Sequence, residues 1–355
     1  MTKIFLVRHA EAEGNIYRRA HGHYNGLVTE RGYQQIERLG KRLAEIQIDA
    51  VYSSDLFRAK TTAAAVSEPR GLEIHTSEKL REVKMGVWED TPWGDIEYFT
   101  KDEYYNFCND PALWSVTGSE SFENVQNRML DFITEIAKRH DGGTIAVFTH
   151  GFALRVFMCL LEGIASHKIN EMPYCDNTAV SVINYDNGEF KVEYLSDNSH
   201  LTEEVSTLAN QTWWRTEKKW ASENLRFMPL NKVASENLLR IFRAKAGERA
   251  HVDKQYAAFI MDEPVGILGL DTERDHSRGL GWISYLHVVP GHREKTFGTQ
   301  LLGVAVSDFR KLKREKLRIE VPSGSLGINF LSRWGFTALD VSYSTCLMEK
   351  DIRNW

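Results

Sequence analysis

The chain is predicted to be α/β throughout, in two successive domains. Three observations predict this. At 355 residues it is long for one hydrophobic core, and two domains are the natural division. Its N-terminal half alternates short apolar runs with helical patterns, which suits strands buried in a parallel sheet. Asp186-Asn187-Gly188 sits between two alternating runs and predicts an antiparallel hairpin, the natural close of an α/β sandwich.

The elements follow in order. Lys3–Val7 (KIFLV) is a buried strand. Glu30–Ile46 sets Ile36, Leu39 and Leu43 at helical spacing behind Thr29 as N-cap. Ala50–Ser53 is a second strand and the alanine-rich Phe57–Val66 a second helix. Thr144–Thr149 is a buried strand, Phe152–Leu161 the helix after it, and Ala179–Tyr185 with Glu189–Leu195 the hairpin. Between Glu82 and Gln126 the pattern is irregular and aromatic, as in an insertion covering a site or a satellite core. Polar character around Ser196–Asn210 marks the domain boundary. Trp213, Trp214 and Trp220 then argue for an ordered connector rather than a free tether. The expected division is 1–200, a connector 201–222, and 223–355, with residues 1–200 folding alone.

The second half opens with Leu225–Leu230 and a helical run near Glu236–Lys245. Strands are expected at Tyr256–Met261, Val265–Leu270, Trp282–Val289 and Leu317–Val321, and helices at Phe297–Leu312 and Gly327–Trp334.

Composition narrows the function classes. With 42% hydrophobic and 26% charged residues the chain is ordinary globular protein, and its net charge of −5 speaks against a nucleic-acid partner. Four cysteines without a C-x-x-C pair speak against a disulfide framework or zinc site. The N-terminus lacks a signal-peptide pattern and no apolar run approaches 18 residues, so a cytoplasmic protein without membrane spans is expected.

Arg8-His9 and His150-Gly151 each follow a predicted strand directly, and Arg58 begins the helix after a third. Ligands of parallel α/β sheets bind at the carboxyl ends of strands. If these strands are neighbours, two histidines and two arginines share one crevice. That set suits a phosphoryl dianion, because guanidinium gives planar bidentate hydrogen bonds and imidazole can attack or donate. Singly, each residue is more often an ordinary surface or hydrogen-bonded group; the joint pattern changes the odds.

The stretches Leu6–Asn15 (LVRHAEAEGN), Gly22–Gly32, Ser53–Ala63, Leu80–Glu89 (LREVKMGVWE), Gly118–Arg128 and Val147–Gly151 (VFTHG) run in one order through residues 1–198. In this order they resemble the histidine phosphatase, or phosphoglycerate-mutase-like, family. The resemblance implies a three-layer α/β/α domain. It implies His9 as the phosphorylated nucleophile, Arg8, Arg58 and His150 as the rest of the phosphate pocket, and Glu82 as general acid. Asn15 assists at the phosphate, with Gly151 beside it. No metal is implied, since the guanidiniums and His150 supply the positive charge. Ala10 stands where the family usually has glycine. The Gly22–Gly32 stretch is more similar to the phosphatases than to the mutases, which favours hydrolysis over isomerisation.

In the second half, Val288-Val289-Pro290 ends a strand, and Arg293–Gly298 (REKTFG) leads into a helix. A basic, glycine-containing turn at a helix N-terminus suits a pyrophosphate, although a plain helix cap looks the same. With Trp334-Gly335-Phe336 later, this half resembles the GNAT acetyltransferase family. The resemblance implies a mixed, mostly antiparallel sheet and acetyl-CoA as cosubstrate. The pyrophosphate would lie on Arg293, Thr296, Phe297 and Gly298, and the pantetheine along Leu286–Val289, including Val288 and Val289. Thr296 replaces a usual glycine and Leu331 a frequent catalytic tyrosine. Tyr285 or Tyr343 as acid, an unaided thiolate, and His287 or water as base all stay open.

Two whole-chain readings follow. One is a bifunctional enzyme acting on a small phosphate ester and a small amine, and the linked chemistries suggest one metabolite carrying both groups. The other is a phosphatase with a catalytically silent acetyl-CoA-binding module.

Overall fold

The computed structural model describes residues 1–211, 224–233, 251–293 and 296–354. The expected order of Thr212–Trp220 and the helix near Glu236–Lys245 lie outside them.

The first domain runs β1 (Thr2–Arg8), α1 (Glu13–Tyr17), α2 (Glu30–Leu43), β2 (Ala50–Ser53), α3 (Phe57–Ser67), β3 (Ile74–Thr76), α4 (Trp93–Phe99), α5 (Lys101–Asn109), α6 (Phe122–Arg139), β4 (Thr144–Thr149), α7 (Gly151–Leu161), β5 (Val180–Asp186) and β6 (Glu189–Asp197). Its sheet has the order β3-β2-β4-β1-β5-β6. The first four of these strands are parallel, and β5 and β6 add antiparallel. Strand side chains alternate between faces. Ile4 and Leu6 therefore pack with Met129 and Ile133 of α6 and Val156 and Phe157 of α7. Phe5 and Val7 pack with Leu39 and Leu43 of α2 and Ala63 and Val66 of α3. Two helical layers on one sheet make the three-layer sandwich that the sequence predicts. Thr29 caps α2 as expected, its side chain accepting from the Gly32 N–H.

The aromatic stretch 82–126 contributes α4, α5 and a packed cluster. Trp88, Trp114, Phe107 and Phe152 stack together at centroid distances of 4.7–5.9 Å.

The described part of the connector packs on the first domain. Thr207 donates to Glu11, Ser206 to Asp176, and the Gln211 side chain to the Asn15 carbonyl.

The second domain runs β7 (Arg226–Pro229), β8 (Lys254–Ile260), β9 (Glu263–Asp271), β10 (Leu280–Val288), α8 (Phe297–Lys311), β11 (Lys316–Pro322), α9 (Leu326–Arg333), β12 (Thr337–Val341) and β13 (Thr345–Asp351). The sheet order is β12-β13-β11-β10-β9-β8-β7. Among the described residues only β10 and β11 pair parallel, so the sheet is mixed and mostly antiparallel. Leu301, Leu302, Ala305 and Phe309 of α8 cover Leu268, Leu270 and Ile283.

This second core does not stop at the second domain: Tyr17, with Ile16 beside it, belongs to the same apolar cluster. Gly303 of α8 meets Tyr17 so closely that a Cβ there would lie 2.5 Å from the Tyr17 Cβ. A second seam joins α4 to β7, where Phe227 N–H donates to Asp95 at 2.7 Å and Arg18 to Asn224 at 2.9 Å. Among the described residues, no helix is long and apolar enough to cross a membrane.

Candidate active site

β1 and β4 are adjacent and parallel, with Arg8 paired to Thr149, so Arg8-His9 and His150 emerge side by side at the carboxyl ends. The His9 N–H donates to the Thr149 carbonyl at 2.9 Å. The rings of His9 and His150 lie 5.0 Å apart. β2 flanks β4, and the turn after it delivers Arg58 on the first turn of α3. Arg58 is 1% exposed and its Nε donates to His9 Nε2 at 3.3 Å. The crevice expected from the sequence is present, with both histidines and both arginines in it.

The tautomer of His9 is set by its neighbour. Nδ1 lies 2.7 Å from the Ala10 carbonyl, which can only accept, so Nδ1 carries the hydrogen and Nε2 keeps its lone pair. Burial lowers the His9 pKa well below its usual 6.5, and Arg58 and Arg8 add to this. Burial and Arg58 do the same to His150. Both rings are thus held neutral, as a nucleophile requires. Burial pushes the Arg58 guanidinium down to about 10, against the pull of Glu82, which leaves it charged at neutral pH.

Arg8 donates through Nη1 to the Cys175 carbonyl at 2.5 Å. Among the described residues, its Nε and both ring nitrogens of His150 are buried without a partner. Buried polar atoms are rarely left so, and at a functional site they mark where a polar ligand belongs. Gly151 has a spatial role here: a Cβ would lie 3.0 Å from the Arg8 Nε.

Glu82 reaches the site from the loop after Leu80, whose carbonyl accepts from the Thr149 hydroxyl at 2.8 Å. Its carboxylate accepts N–H bonds from Val83, Phe152 and Ala153 at 2.8–3.1 Å, which fixes its orientation at the start of α7. Asn15 uses its side-chain oxygen on the Ala12 N–H at 2.9 Å, so its amide hydrogens are the part left to meet a phosphate. Ala10, at the family's glycine position, is fully buried, and its N–H donates to Thr62.

The sequence reading missed some supports. The Thr62 hydroxyl bridges Ala10 N–H and the Arg58 carbonyl, and its place one turn after Arg58 was a readable signal. Asn177 donates to the His9 carbonyl. Arg128 and His23 both reach the Glu82 carbonyl and line a cavity of about 580 Å³ with Lys79, Lys84, Ser119 and Glu120.

In the second domain the β10–β11 ladder covers only Leu280–Ile283 against Lys316–Ile319. Beyond it β10 follows β9 to Val288, with a register shift between Ile283 and Tyr285, while β11 follows β13 to Pro322. The two strands part and leave an opening along Ser284–Val288. Val289 N–H is held by the Val265 carbonyl, and Arg293 Nε by the Val288 carbonyl. Thr296 caps α8 with φ 64°, the left-handed conformation that a glycine would supply. At Gly298 a Cβ would lie 3.0 Å from the Phe330 ring of α9, so the helix start is tightly packed on that side. Leu331 is buried in the core, and Tyr343 is fully exposed between β12 and β13. Tyr285 lies with its ring over Gly269, and burial raises its pKa. Among the described residues one set of metal-ligand types converges, His251, Asp253 and Asp271, but Thr272, Glu273 and Arg274 already donate to its carboxylates.

Residues 4–198 match the family model of the histidine phosphatase superfamily, branch 1. The chain belongs to that superfamily. Residues 214–336 match the GNAT acetyltransferase family, so this histidine phosphatase carries a GNAT domain behind its phosphatase domain. Phosphoserine phosphatase 1 of Hydrogenobacter thermophilus is 30% identical over 203 residues, 57% of this chain and 96% of its own. The metal-independent phosphoserine phosphatase of Arabidopsis thaliana is 30% identical over 212 residues, 57% of this chain and 84% of its own. Among solved structures, YhfR of Bacillus stearothermophilus superposes with TM-score 0.55 at 34% identity, covering 56% of this chain and 99% of that one. The chain is thus an enzyme of the histidine phosphatase superfamily, similar to these phosphoserine phosphatases and extended by an acetyltransferase-type domain.

Proposed function

We propose that the first domain hydrolyses phosphate monoesters through a phosphohistidine on His9, without a metal. The observation that carries this reading is the pair of buried neutral histidines beside Arg8 and Arg58, with Arg8 Nε and both His150 nitrogens unpartnered. The phosphoryl oxygens would take hydrogen bonds from Arg8, Arg58, His150 and the Asn15 amide. In the first step the His9 Nε2 lone pair forms the bond to phosphorus as the ester P–O bond breaks. Glu82 gives its proton to the leaving alkoxide. In the second step Glu82 takes a proton from water, whose oxygen attacks phosphorus and frees Nε2. Charge spread over the equatorial oxygens is met by fixed donors, the largest usual contribution to such catalysis.

The leaving group would lie in the cavity beside Glu82. In its lining Arg128 is paired with Glu120 and Arg81 with Asp55 and Glu78, so among the described residues Lys79 and Lys84 are the lining cations without an ion pair. Those two ammonium groups suit a small polar metabolite bearing an acidic group. The named phosphoserine phosphatase relatives support this class, and phosphoserine heads the screen.

For the second domain we propose acetyl transfer from acetyl-CoA to an amine. The chain divides as 1–200, 201–222 and 223–355 in this reading. The opening between β10 and β11 fits a pantetheine arm along Leu286–Val289, including Val288 and Val289. The α8 N-terminus at Thr296, Phe297 and Gly298, with Arg293 near, fits the pyrophosphate. Bound there, acetyl-CoA supplies an activated acyl thioester; the chain orients it and excludes water. A second reading, a silent acetyl-CoA-binding module, is favoured by Leu331, which puts an apolar buried side chain where a tyrosine acid often stands. The test is phosphate release from a panel of phosphorylated amines, with and without acetyl-CoA, alongside acetyl transfer to the dephosphorylated products. Phosphate release without acetylation of any amine selects the silent module. Loss of neither activity in His9→Ala removes the phosphohistidine reading.

A further inference from the structure

We infer that the acetyltransferase-type domain is a working part of the phosphatase site, and that Arg310 of α8 is a positioning residue for Arg58. The inference rests on the reading of Arg58 as a phosphate ligand.

Arg310 lies near the C-terminus of α8 and crosses into the first domain. Its Nη1 and Nη2 lie 2.8 and 3.2 Å from the two carboxylate oxygens of Glu13, a bidentate pair buried to 7% and 6% exposure. Nη1 also approaches the Tyr24 hydroxyl at 3.4 Å, and Nε donates to the Ile352 carbonyl at 2.5 Å. Glu13 ties the end of the loop His21–Leu27, and Tyr24 lies within it. Glu13 N–H donates to the Leu27 carbonyl, and Leu27 N–H returns a bond to Glu13 Oε2 at 3.2 Å.

That loop is what aims Arg58. The Tyr24 carbonyl accepts Arg58 Nη1 at 3.0 Å and the Gly22 carbonyl accepts Nη2 at 2.9 Å, while Nε points at His9. The route from α8 to the nucleophile is therefore Arg310, Glu13 and Tyr24, the two loop carbonyls, Arg58, His9. A second tie from the same helix braces the opposite loop: Ser307 and Arg19 both bind Asp90, whose N–H donates to the Ala20 carbonyl. With both loops held on α8, the geometry of the Arg58 guanidinium depends on a residue about 250 positions further along the chain.

The test uses the full-length protein. Glu13→Gln/Arg310→Met removes both charges together, so no unpaired buried charge remains. We expect the purified double variant to keep its far-UV circular dichroism but to lose roughly tenfold to a hundredfold in kcat for aryl phosphate hydrolysis, the scale expected when a group is displaced by about 1 Å. Orthovanadate, which mimics the transferring phosphoryl group, should lose more affinity than inorganic phosphate, because a displaced Arg58 fails most where charge is spread. A merely structural role would leave that ratio unchanged. Arg310→Lys keeps one charge but not the fork, and should restore kcat only in part. A folded double variant with wild-type kcat and a wild-type vanadate-to-phosphate ratio overturns the inference. If the double variant does not fold, wild-type kcat in folded Arg310→Lys does the same. Arg58→Lys is measured in parallel. If it too is fully active, the reading of Arg58 as phosphate ligand has failed; if it alone is impaired, only the role of Arg310 has.

Discussion

Gly303→Ala should destabilise this protein, although the same change stabilises most helices. In an exposed helix interior alanine gains about 1 kcal/mol over glycine. Gly303 sits mid-helix in α8, where it faces α1 of the phosphatase domain. An added Cβ would lie 2.5 Å from the Tyr17 Cβ and 2.7 Å from its Cγ. Carbon atoms rest at roughly 3.5–4.0 Å, so the helices must separate by about 1 Å. The Tyr17 Cβ cannot swing away, because it is fixed to the backbone. Overpacking of this kind costs about 1–3 kcal/mol. The separation would also stretch the Ser307–Asp90 and Arg310–Glu13 contacts, one and two turns on respectively. Set against the propensity gain, the net loss is about 0–2 kcal/mol. Gly327→Ala in α9 is the control, since its Cβ would find ordinary contacts from 3.4 Å outward and should stabilise. Thermal melts of both variants give the answer, with phosphate release as a second readout. A higher melting temperature for Gly303→Ala than for wild type would refute the close docking of α8 on α1.

Other outcomes follow from the same geometry. Glu82→Gln should cost about a hundredfold or more on alkyl phosphates but under about tenfold on aryl phosphates, whose leaving oxygens need less protonation; equal losses, by steady-state kinetics on both, would mean Glu82 does not donate the proton. Thr296→Gly should raise the melting temperature. A β-branched residue in the left-handed region costs about 1–3 kcal/mol, and the extra chain entropy of glycine offsets roughly 1 of this; a fall would show that the turn is not strained. Stability should decline as pH falls from 7 to 5. Burial holds His9, His21, His150 and His200 below their usual 6.5, so the unfolded chain binds protons there that the fold excludes. Asp95, which burial raises to about 6, and Glu11, also raised by burial, act oppositely as they take up protons, but are outnumbered. A melting temperature that rises on acidification would contradict the neutral histidines.

Much of this was legible in the sequence. KIFLV and TIAVFT could hardly be anything but buried strands, and each is followed by a residue of the proposed phosphate pocket. The Asp-Asn-Gly hairpin is also where the spacing put it, between β5 and β6. β3 was not legible, because three partly exposed residues carry no period. α6 was legible and overlooked: Val125, Met129, Ile133 and Ile136 recur at helical spacing behind a Ser121 cap. The joint between the domains was hidden for a different reason. Ser307 and Arg310 look like the solvent face of an amphipathic helix, and only tertiary structure shows Asp90 and Glu13 waiting for them. Tyr17 likewise reads as a core residue of the first half, yet it packs in the second. One local signal existed, a glycine in the middle of a strong helical pattern, which often marks close approach of another backbone.

The central claim is that His9 Nε2 carries the phosphoryl group during turnover. It is tested most directly by mixing the enzyme with excess substrate, quenching in alkali within milliseconds, and mapping the phosphorylated peptide by mass spectrometry. Phosphohistidine survives alkali, whereas phosphoserine does not. The account predicts one phosphorylated peptide, containing His9, that appears before steady state and is absent from His9→Ala. Phosphate on another residue, or full turnover with none on His9, would contradict it.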